Sequence, residues 1–321
     1  METKYIFQNT TYLDHNFNPQ KGDVLIKNDE IFKIKNIKDK KSRPIKLDKS
    51  YKVIDCENKL LMPGFYNNHA HSAMSLLRGY AENLTLDEWL TKKIFPIEMN
   101  FDDESIKAGV DLSILESLKN GIVSTRDMYF SPKITYDAYK KALVKVNFGR
   151  AIVDDNGKKL KDNNSFIEAK EIDDYVKKNS KDDKIKIDYS LHAEYTSTKK
   201  IAQELSDYLK NKSNFFNVHI SETKKEVKEC YKKYRKSPVK YFYDLGLLNS
   251  KTIGAHLVHI DDQDLKLLKK SKTTVAINPI SNLKLSSGVS RLSDFYNNGI
   301  KVTIGTDSVA SNKFLEYNKR S

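Results

Sequence analysis

From Leu60 onward the chain alternates short apolar runs with longer stretches in which apolar residues recur every three or four positions. The runs are LLMPGFYNNHAH, GIVSTRDMY, NFGRAIVDD, KIKIDYSLHAEY, NFFNVHISE, KTIGAHLVHI, TTVAINPIS and KVTIGTDSV. Their length and β-branched content predict buried strands. Between them, Asp102 to Asn120 carries Ile106, Val110, Ile114, Leu115 and Leu118 at helical spacing, with Gly121 where a helix terminator belongs. Thr196 to Lys210, Glu222 to Tyr234 and Asp261 to Lys270 follow the same pattern. Strands alternating with helices predict parallel βαβ units, and a series of eight predicts an α/β fold of the closed (β/α)8 TIM-barrel type. A doubly wound open sheet is the alternative, but neither the GxGxxG nor the Walker pattern common in such sheets occurs.

Residues 1–59 read differently. YIFQNTTYLD, GDVLIKNDEIFKIK and YKVIDCENKLLM alternate apolar with polar positions and predict short strands, with tight reversals at Asn28-Asp29 and Glu57-Asn58. Such an element is too thin to be stable without further strands or a larger partner. The expected organisation is therefore a small β portion over 1–59 and a barrel over 60–321.

Composition changes this picture little. With 321 residues the chain can bury a substantial core. Its net charge of +13 and pI near 9.3 raise the question of nucleic acid. Yet Lys pairs alternate with Asp and Glu, as in KKNSKDDKIK, and no basic arm is interleaved with aromatics, so a solvated Lys-rich face and no nucleic-acid partner are expected. There is no signal-like apolar region and no 18-residue apolar run, which predicts no membrane partner and a cytoplasmic location. Cys56 and Cys230 lack CxxC spacing, which argues against a disulfide scaffold or a zinc ribbon.

Chemistry in such a barrel collects at the C-terminal strand ends. His69 and His71 end the first run, His192 the fourth, His219 the fifth, His256 the sixth and Asp307 the eighth, so that five of the 7 histidines and one carboxylate converge on one rim. The HxH spacing puts both imidazoles on one face of a strand. His69, His71, His219 and Asp307 suit one Zn2+, with Fe2+ and Mn2+ as alternatives, leaving a position for water whose pKa such an ion lowers to about 7. Glu222, three residues past His219, can lean over the rim to donate or accept a proton, and His256 can hydrogen-bond the nucleophile or a developing oxyanion. His15 and His259 read as surface and packing residues. The absence of GxSxG disfavours serine hydrolysis, and unpaired cysteines disfavour the zinc chemistry of cytidine-type deaminases.

The run PGFYNNHAHSAMSLLRGYAENLTLDEWLTKKIFPIE, followed in order by LHAEYT, VHISET, GAHLVH, NPISNLKL and GTDSVASN, resembles the amidohydrolase superfamily, and within it the 5-methylthioadenosine/S-adenosylhomocysteine deaminases and their chlorohydrolase relatives. The resemblance covers Leu60 to Asn312. It implies a metal-bearing (β/α)8 barrel with a small β-sandwich built from both chain ends. It also implies a hydrolytic deamination of an adenine or thioether nucleoside. In that scheme His69, His71, His219 and Asp307 hold the metal, Asp307 takes the proton of the attacking water, Glu222 protonates the purine ring and His256 orients the nucleophile. Glu98 would meet the ribose hydroxyls, and Arg150 and His192 the outer part of the nucleoside. Trp89 is read as packing between the first helix and the barrel.

Glu194 stands where the family usually has proline, and a second arginine for an amino-acid carboxylate has no counterpart beyond Lys158, Lys159 or Lys161. The chain stops at FLEYNKRS, early in the expected eighth helix, whereas the family continues with strands that return to the sandwich. This predicts an exposed apolar face on the N-terminal β portion, which invites association with another subunit, a homo-oligomer included. Two other readings are carried forward. One is a different amidohydrolase acting on C–N or C–Cl bonds of a heteroaromatic ring; the other is an inactive remnant or interaction module.

Overall fold

The computed structural model describes residues 4–28, 30–36, 50–180 and 183–312. FLEYNKRS and its expected helix lie outside them. The chain divides into two compact units, Met1–Gly64 and Phe65–Ser321.

In the first unit, β1 (Lys4–Leu13) pairs antiparallel with β2 (Pro19–Lys27), which pairs antiparallel with β3 (Glu30–Asn36); β4 (Lys52–Asp55) and β5 (Leu60–Leu61) lie parallel to β1. Asn28 and Asn58 take left-handed backbone at the reversals read from the sequence, a conformation Asn tolerates well. On β3, Ile31 and Phe32 are each 62% exposed and Ile34 45%, so this strand shows apolar side chains to solvent.

In the second unit, β6 (Phe65–Ala70), β7 (Ile122–Tyr129), β8 (Lys145–Ile152), β9 (Ile185–Ile187), β10 (Tyr189–Leu191), β11 (Phe216–Ile220), β12 (Thr252–His256), β13 (Thr274–Ile277) and β14 (Val302–Ile304) form one parallel sheet. The eight predicted runs account for all of these; the fourth is split at Asp188 into β9, paired with β8, and β10, paired with both β8 and β11. The sheet curls until its first and last members meet. Ala70 bridges Asp307, the Asp307 N–H donates to the His69 carbonyl at 2.9 Å, and Asn67 and Thr306 exchange hydrogen bonds of 2.7 and 3.0 Å. This is the nearly closed barrel of the TIM type.

Helices cover its outside. The larger ones are α3 (Asp103–Lys119), α4 (Pro132–Ala142), α5 (Asn164–Asn179), α6 (Lys199–Leu209), α7 (Lys224–Tyr234), α8 (Pro238–Asp244) and α9 (Asp262–Ser271). They follow two short ones, α1 (Leu86–Trp89) and α2 (Phe95–Glu98), and precede α10 (Pro279–Lys284), α11 (Leu292–Asn297) and α12 (Val309–Asn312). Several starts are capped: Asp102, Thr198, Thr223 and Asp261 accept a backbone N–H of the first turn. The face of α3 differs in part from its pattern. Ile106, Val110 and Ile114 are buried together with Gly109, Ser113 and Ser117, whereas Leu115 and Leu118 are exposed. Small residues win that face because the turn after His71 packs closely on it; a β-carbon at Gly109 would stand 2.3 Å from the Ala73 carbonyl oxygen. Among the described residues no helix is long and apolar enough to cross a membrane.

Candidate metal centre and active site

Each rim residue is aimed by the way its strand ends. Left-handed backbone at Ser221 and His256, where β11 and β12 end, and at Asp307, three residues past β14, redirects the chain at the rim. Such conformations are costly for residues with a β-carbon and persist where surrounding contacts impose them.

The imidazoles are fixed through one nitrogen each. His71 Nδ1–H donates to the Met128 carbonyl at 2.6 Å, and His219 Nδ1–H donates to the His192 carbonyl at 2.6 Å. Those bonds select the tautomer and leave the Nε2 lone pairs pointing inward. The two Nε2 atoms stand 3.3 Å apart, and Asp307 Oδ1 lies 3.3 Å from His71 Nε2 and 3.7 Å from His69 Nε2. His69 Nε2 is buried without a hydrogen-bond partner. Ligand atoms of His69, His71 and His219 lie within 4.8 Å of one another, as do those of His69, His256 and Asp307.

Facing lone pairs at this distance repel unless a positive charge lies among them. Donor atoms about 2.0–2.2 Å from one tetrahedral ion stand about 3.3–3.6 Å apart, close to the spacings found. The residues therefore fit a divalent metal ion. Electrostatics agree. Burial and neighbouring imidazoles hold His69 and His219 well below the usual histidine range. For His71, burial opposes charge, but the Asp307 carboxylate and the Met128 carbonyl outweigh it and push the ring up to about 9. Burial likewise opposes ionisation of Asp307, yet His71, His256 and His69 hold its carboxyl well below the usual range. The cluster demands one cation, which a proton on His71 or a metal ion supplies.

Glu222 and His256 occupy the same rim. Glu222 is buried, accepts from the Ser287 hydroxyl at 3.3 Å, and has Oε2 3.6 Å from His256 Nε2. Burial, reinforced by the charges of Asp307 and Glu226 and opposed by His256, raises its pKa to about 7. A carboxyl poised there can give a proton near neutrality. His256 Nδ1 is bonded to Asn282 Oδ1 at 2.8 Å.

His71, His192, His219, Glu222, His256, Asp307 and Glu98 all line one partly open cavity of about 100 Å3. Its opposite wall is apolar: Leu86, Trp89, Leu90, Ile94 and Phe95 come from the α1–α2 segment, with Phe130 and Val153. Trp89 is buried, as its packing role requires, and also forms part of this wall. Glu98 closes the segment and accepts from the Tyr129 hydroxyl at 2.5 Å; burial raises its pKa. Burial and the charges of His71 and His256 lower His192 to about 4, and its Nδ1 is bonded to Thr196 Oγ1 at 3.0 Å. Arg150 stands apart from this group. Its guanidinium donates to Glu168 at 2.5 Å and to the Ala151 carbonyl at 2.6 Å and stacks on Phe130, so Phe130 rather than Arg150 lines the cavity. His259 is bonded to the Ser287 carbonyl, and His15 lies on the surface.

Several supporting residues escaped the sequence reading. Ser281 donates to Asp307 Oδ2, and Ser311, one helical turn past Asp307, lies 3.5 Å from the same oxygen. Asp127, fully buried, accepts the Ser72 N–H at 2.8 Å just beyond His71. Both serines lie inside the NPISNLKL and GTDSVASN runs, and the four-residue step from Asp307 to Ser311 was the available signal.

Residues 60–320 match the model of the amidohydrolase family. The chain is 36% identical over 299 residues to a 5-methylthioadenosine/S-adenosylhomocysteine deaminase of Caldicellulosiruptor saccharolyticus, covering 92% of this chain and 66% of that protein. It is 34% identical over 317 residues to a 5'-deoxyadenosine deaminase of Methanosphaera stadtmanae, covering 98% and 71%. Against three such methylthioadenosine/adenosylhomocysteine deaminases the chain spans 60–66% of their length. The crystal structure of an adenosine deaminase from Xanthomonas campestris with bound zinc superposes with a TM-score of 0.87 at 25% identity, over 98% of this chain and 71% of that one.

Proposed function

Since the chain belongs to the amidohydrolase family, we propose that it is a metal-dependent hydrolytic deaminase of adenine nucleosides whose 5′ substituent is uncharged, such as methylthioadenosine or 5′-deoxyadenosine. The observation that carries this reading is that His71 Nε2 stands 3.3 Å from both His219 Nε2 and Asp307 Oδ1, with Glu222 on the same cavity. The names of its deaminase relatives support the substrate class.

His69, His71, His219 and Asp307 would hold one divalent ion, zinc by likeness to the Xanthomonas campestris structure. Such an ion, when bound, acidifies water to a pKa of about 7. The remaining steps belong to the chain. Asp307 takes a proton from the water whose oxygen bonds to the amino-bearing ring carbon. Glu222 gives its proton to the adjacent ring nitrogen, and His256 orients the incoming oxygen. The proton on Asp307 passes to the amino group, the C–N bond breaks, ammonia leaves, and the remaining hydroxyl proton restores Glu222. Glu98, with one oxygen engaged by Tyr129, keeps the other for the ribose hydroxyls. His192 lies on the nucleoside's outer side, while Arg150, paired with Glu168, supports the wall through Phe130.

No Lys or Arg is among the described residues lining the cavity, and its outer wall is apolar. A carboxylate buried there would lack a partner. Ammonia release from methylthioadenosine, 5′-deoxyadenosine and S-adenosylhomocysteine on metal-loaded protein tests the reading. The first two are turned over with the higher kcat/KM. No turnover of any aminopurine refutes it, and preference for S-adenosylhomocysteine refutes the neutral-substituent part alone.

A further inference from the structure

A second pair of acids stands behind the first. Glu226, in the opening turn of α7, is 5% exposed, and its carboxylate accepts three successive backbone N–H groups: Ser221 at 2.5 Å, Glu222 at 2.6 Å and Thr223 at 3.4 Å. They converge because Ser221 is left-handed, a geometry that gathers successive N–H groups around an anion. Ordinary capping accounts for part of this, since Thr223 Oγ1 accepts the Glu226 N–H at 3.1 Å. It does not account for the carboxylate reaching two residues beyond the cap to Ser221, on the link between His219 and Glu222.

Behind Glu226 lies Glu194, 2% exposed, with one carboxyl oxygen that meets no donor; burial and the neighbouring Glu226 carboxylate push its pKa up to about 9. Two buried carboxyls in contact do not both ionise. Burial favours the protonated form of each, and the Glu194 and Tyr195 N–H groups reach Glu194, but the three backbone N–H groups gathered on Glu226 make it the better anion of the two. Glu226 is thus the anion, and Glu194 the neutral acid that donates to it. Glu222, His256, Tyr195, Tyr241 and Cys230 are the other titratable groups that bear on this pair.

We infer that Glu226 is a positioning residue: its carboxylate, held by a hydrogen bond from a neutral Glu194, clamps the Ser221–Thr223 turn and so sets the Glu222 side chain against the substrate ring. The inference rests on the deaminase reading for the role of Glu222, but the clamp itself does not depend on it.

One substitution type should therefore have opposite effects at two touching residues. Glu226→Gln replaces an acceptor oxygen by an N–H2 facing backbone N–H groups and lowers kcat roughly 10²-fold, the scale of a misplaced catalytic group. KM and metal content stay at wild-type values. Glu194→Ala lowers kcat partially, and Glu194→Gln restores it, because an amide N–H donates in place of the acid O–H. Amide proton spectra give a readout free of activity. The Ser221 and Glu222 N–H signals are shifted downfield and protected from exchange in the wild type and in Glu194→Gln, and lose both properties in Glu226→Gln.

Wild-type kcat in Glu226→Gln, or equal damage from both Gln variants, overturns the inference. If the wild type deaminates nothing, the functional reading fails while the amide protons still decide the clamp: unprotected Ser221 and Glu222 N–H groups in the wild type overturn it. Should Glu226→Gln not fold, the two Glu194 variants and the wild-type amides decide.

Discussion

His71 Nε2 and His219 Nε2 face each other across 3.3 Å, although each ring has already committed its Nδ1–H to a backbone carbonyl. Strands β6 and β11 are far apart in sequence, and nothing about either alone requires this approach. The barrel brings them together, and Asp307 from its last strand supplies the negative charge that makes a cation there favourable. The centre is thus a product of barrel closure, and its properties should respond to whatever holds the first and last strands together.

The first expectation concerns the ion. Purified protein retains about one divalent metal ion per chain, and a chelator lowers its melting temperature. An ion at 100 times its Kd stabilises by about 2.7 kcal/mol. His71→Ala or His219→Ala removes the bound metal and the chelator response together. Metal analysis with thermal melts checks this; a melt indifferent to chelator in metal-free wild type would sink it.

Glu222 gives a pH signature in the metal-stripped protein. Its folded pKa of about 7 exceeds its ordinary value of 4.5. The native state therefore keeps a proton that the unfolded chain has lost. Its contribution to stability is fully present below 4.5 and is lost as pH rises through about 7. At 1.36 kcal/mol per pKa unit this amounts to about 3 kcal/mol. Glu222→Gln, which cannot ionise, should lose less stability than the wild type between pH 5 and pH 8, while abolishing ammonia release. Parallel stability profiles would contradict the assignment.

Glu98 should divide binding from chemistry. Losing a charge-assisted hydrogen bond to a ribose hydroxyl costs about 1.5–3 kcal/mol, roughly 10- to 100-fold in affinity. Glu98→Gln therefore raises KM by that factor for methylthioadenosine and leaves an analogue lacking both ribose hydroxyls unaffected. Steady-state kinetics on the two substrates check it; an equal change for both would remove the ribose role.

The rim was legible because strands announce themselves locally. A polar residue ending a β-branched run points to the barrel mouth by fold geometry alone, and this is how His69, His71, His192, His219, His256 and Asp307 could be gathered. Arg150 does not end its run and was expected only from the resemblance; it is turned away from the cavity, because a long side chain can choose among partners and Glu168, 18 residues on in α5, wins it. Ser281, Asn67 and Thr306 left no pattern at all. Their hydrogen bonds join residues 26 and 239 positions apart, and neither periodicity nor a cap signals such a pairing. Leu115 and Leu118 misled for a related reason: α3 packs through its small residues, a choice set by the neighbour it meets.

Gly305 offers the sharpest test of closure. It follows β14 and precedes Asp307 by two residues, and its N–H is bonded to the Ile277 carbonyl at 2.9 Å. A β-carbon there would stand 2.6 Å from His69 Cβ, 2.9 Å from the His69 carbonyl oxygen and 2.3 Å from Asn278 Oδ1. Asn278 could rotate away, but the His69 backbone is held by the Asp307 N–H and cannot. Gly305→Ala must then push β6 from β14, separating His69 from Asp307 without removing any ligand. Disturbing the support of a metal ligand typically costs 10- to 100-fold in affinity, and that loss is expected here with the far-ultraviolet circular dichroism unchanged. Wild-type metal affinity in a folded Gly305→Ala variant would mean that the spacing of the first and last strands does not set the geometry of the centre.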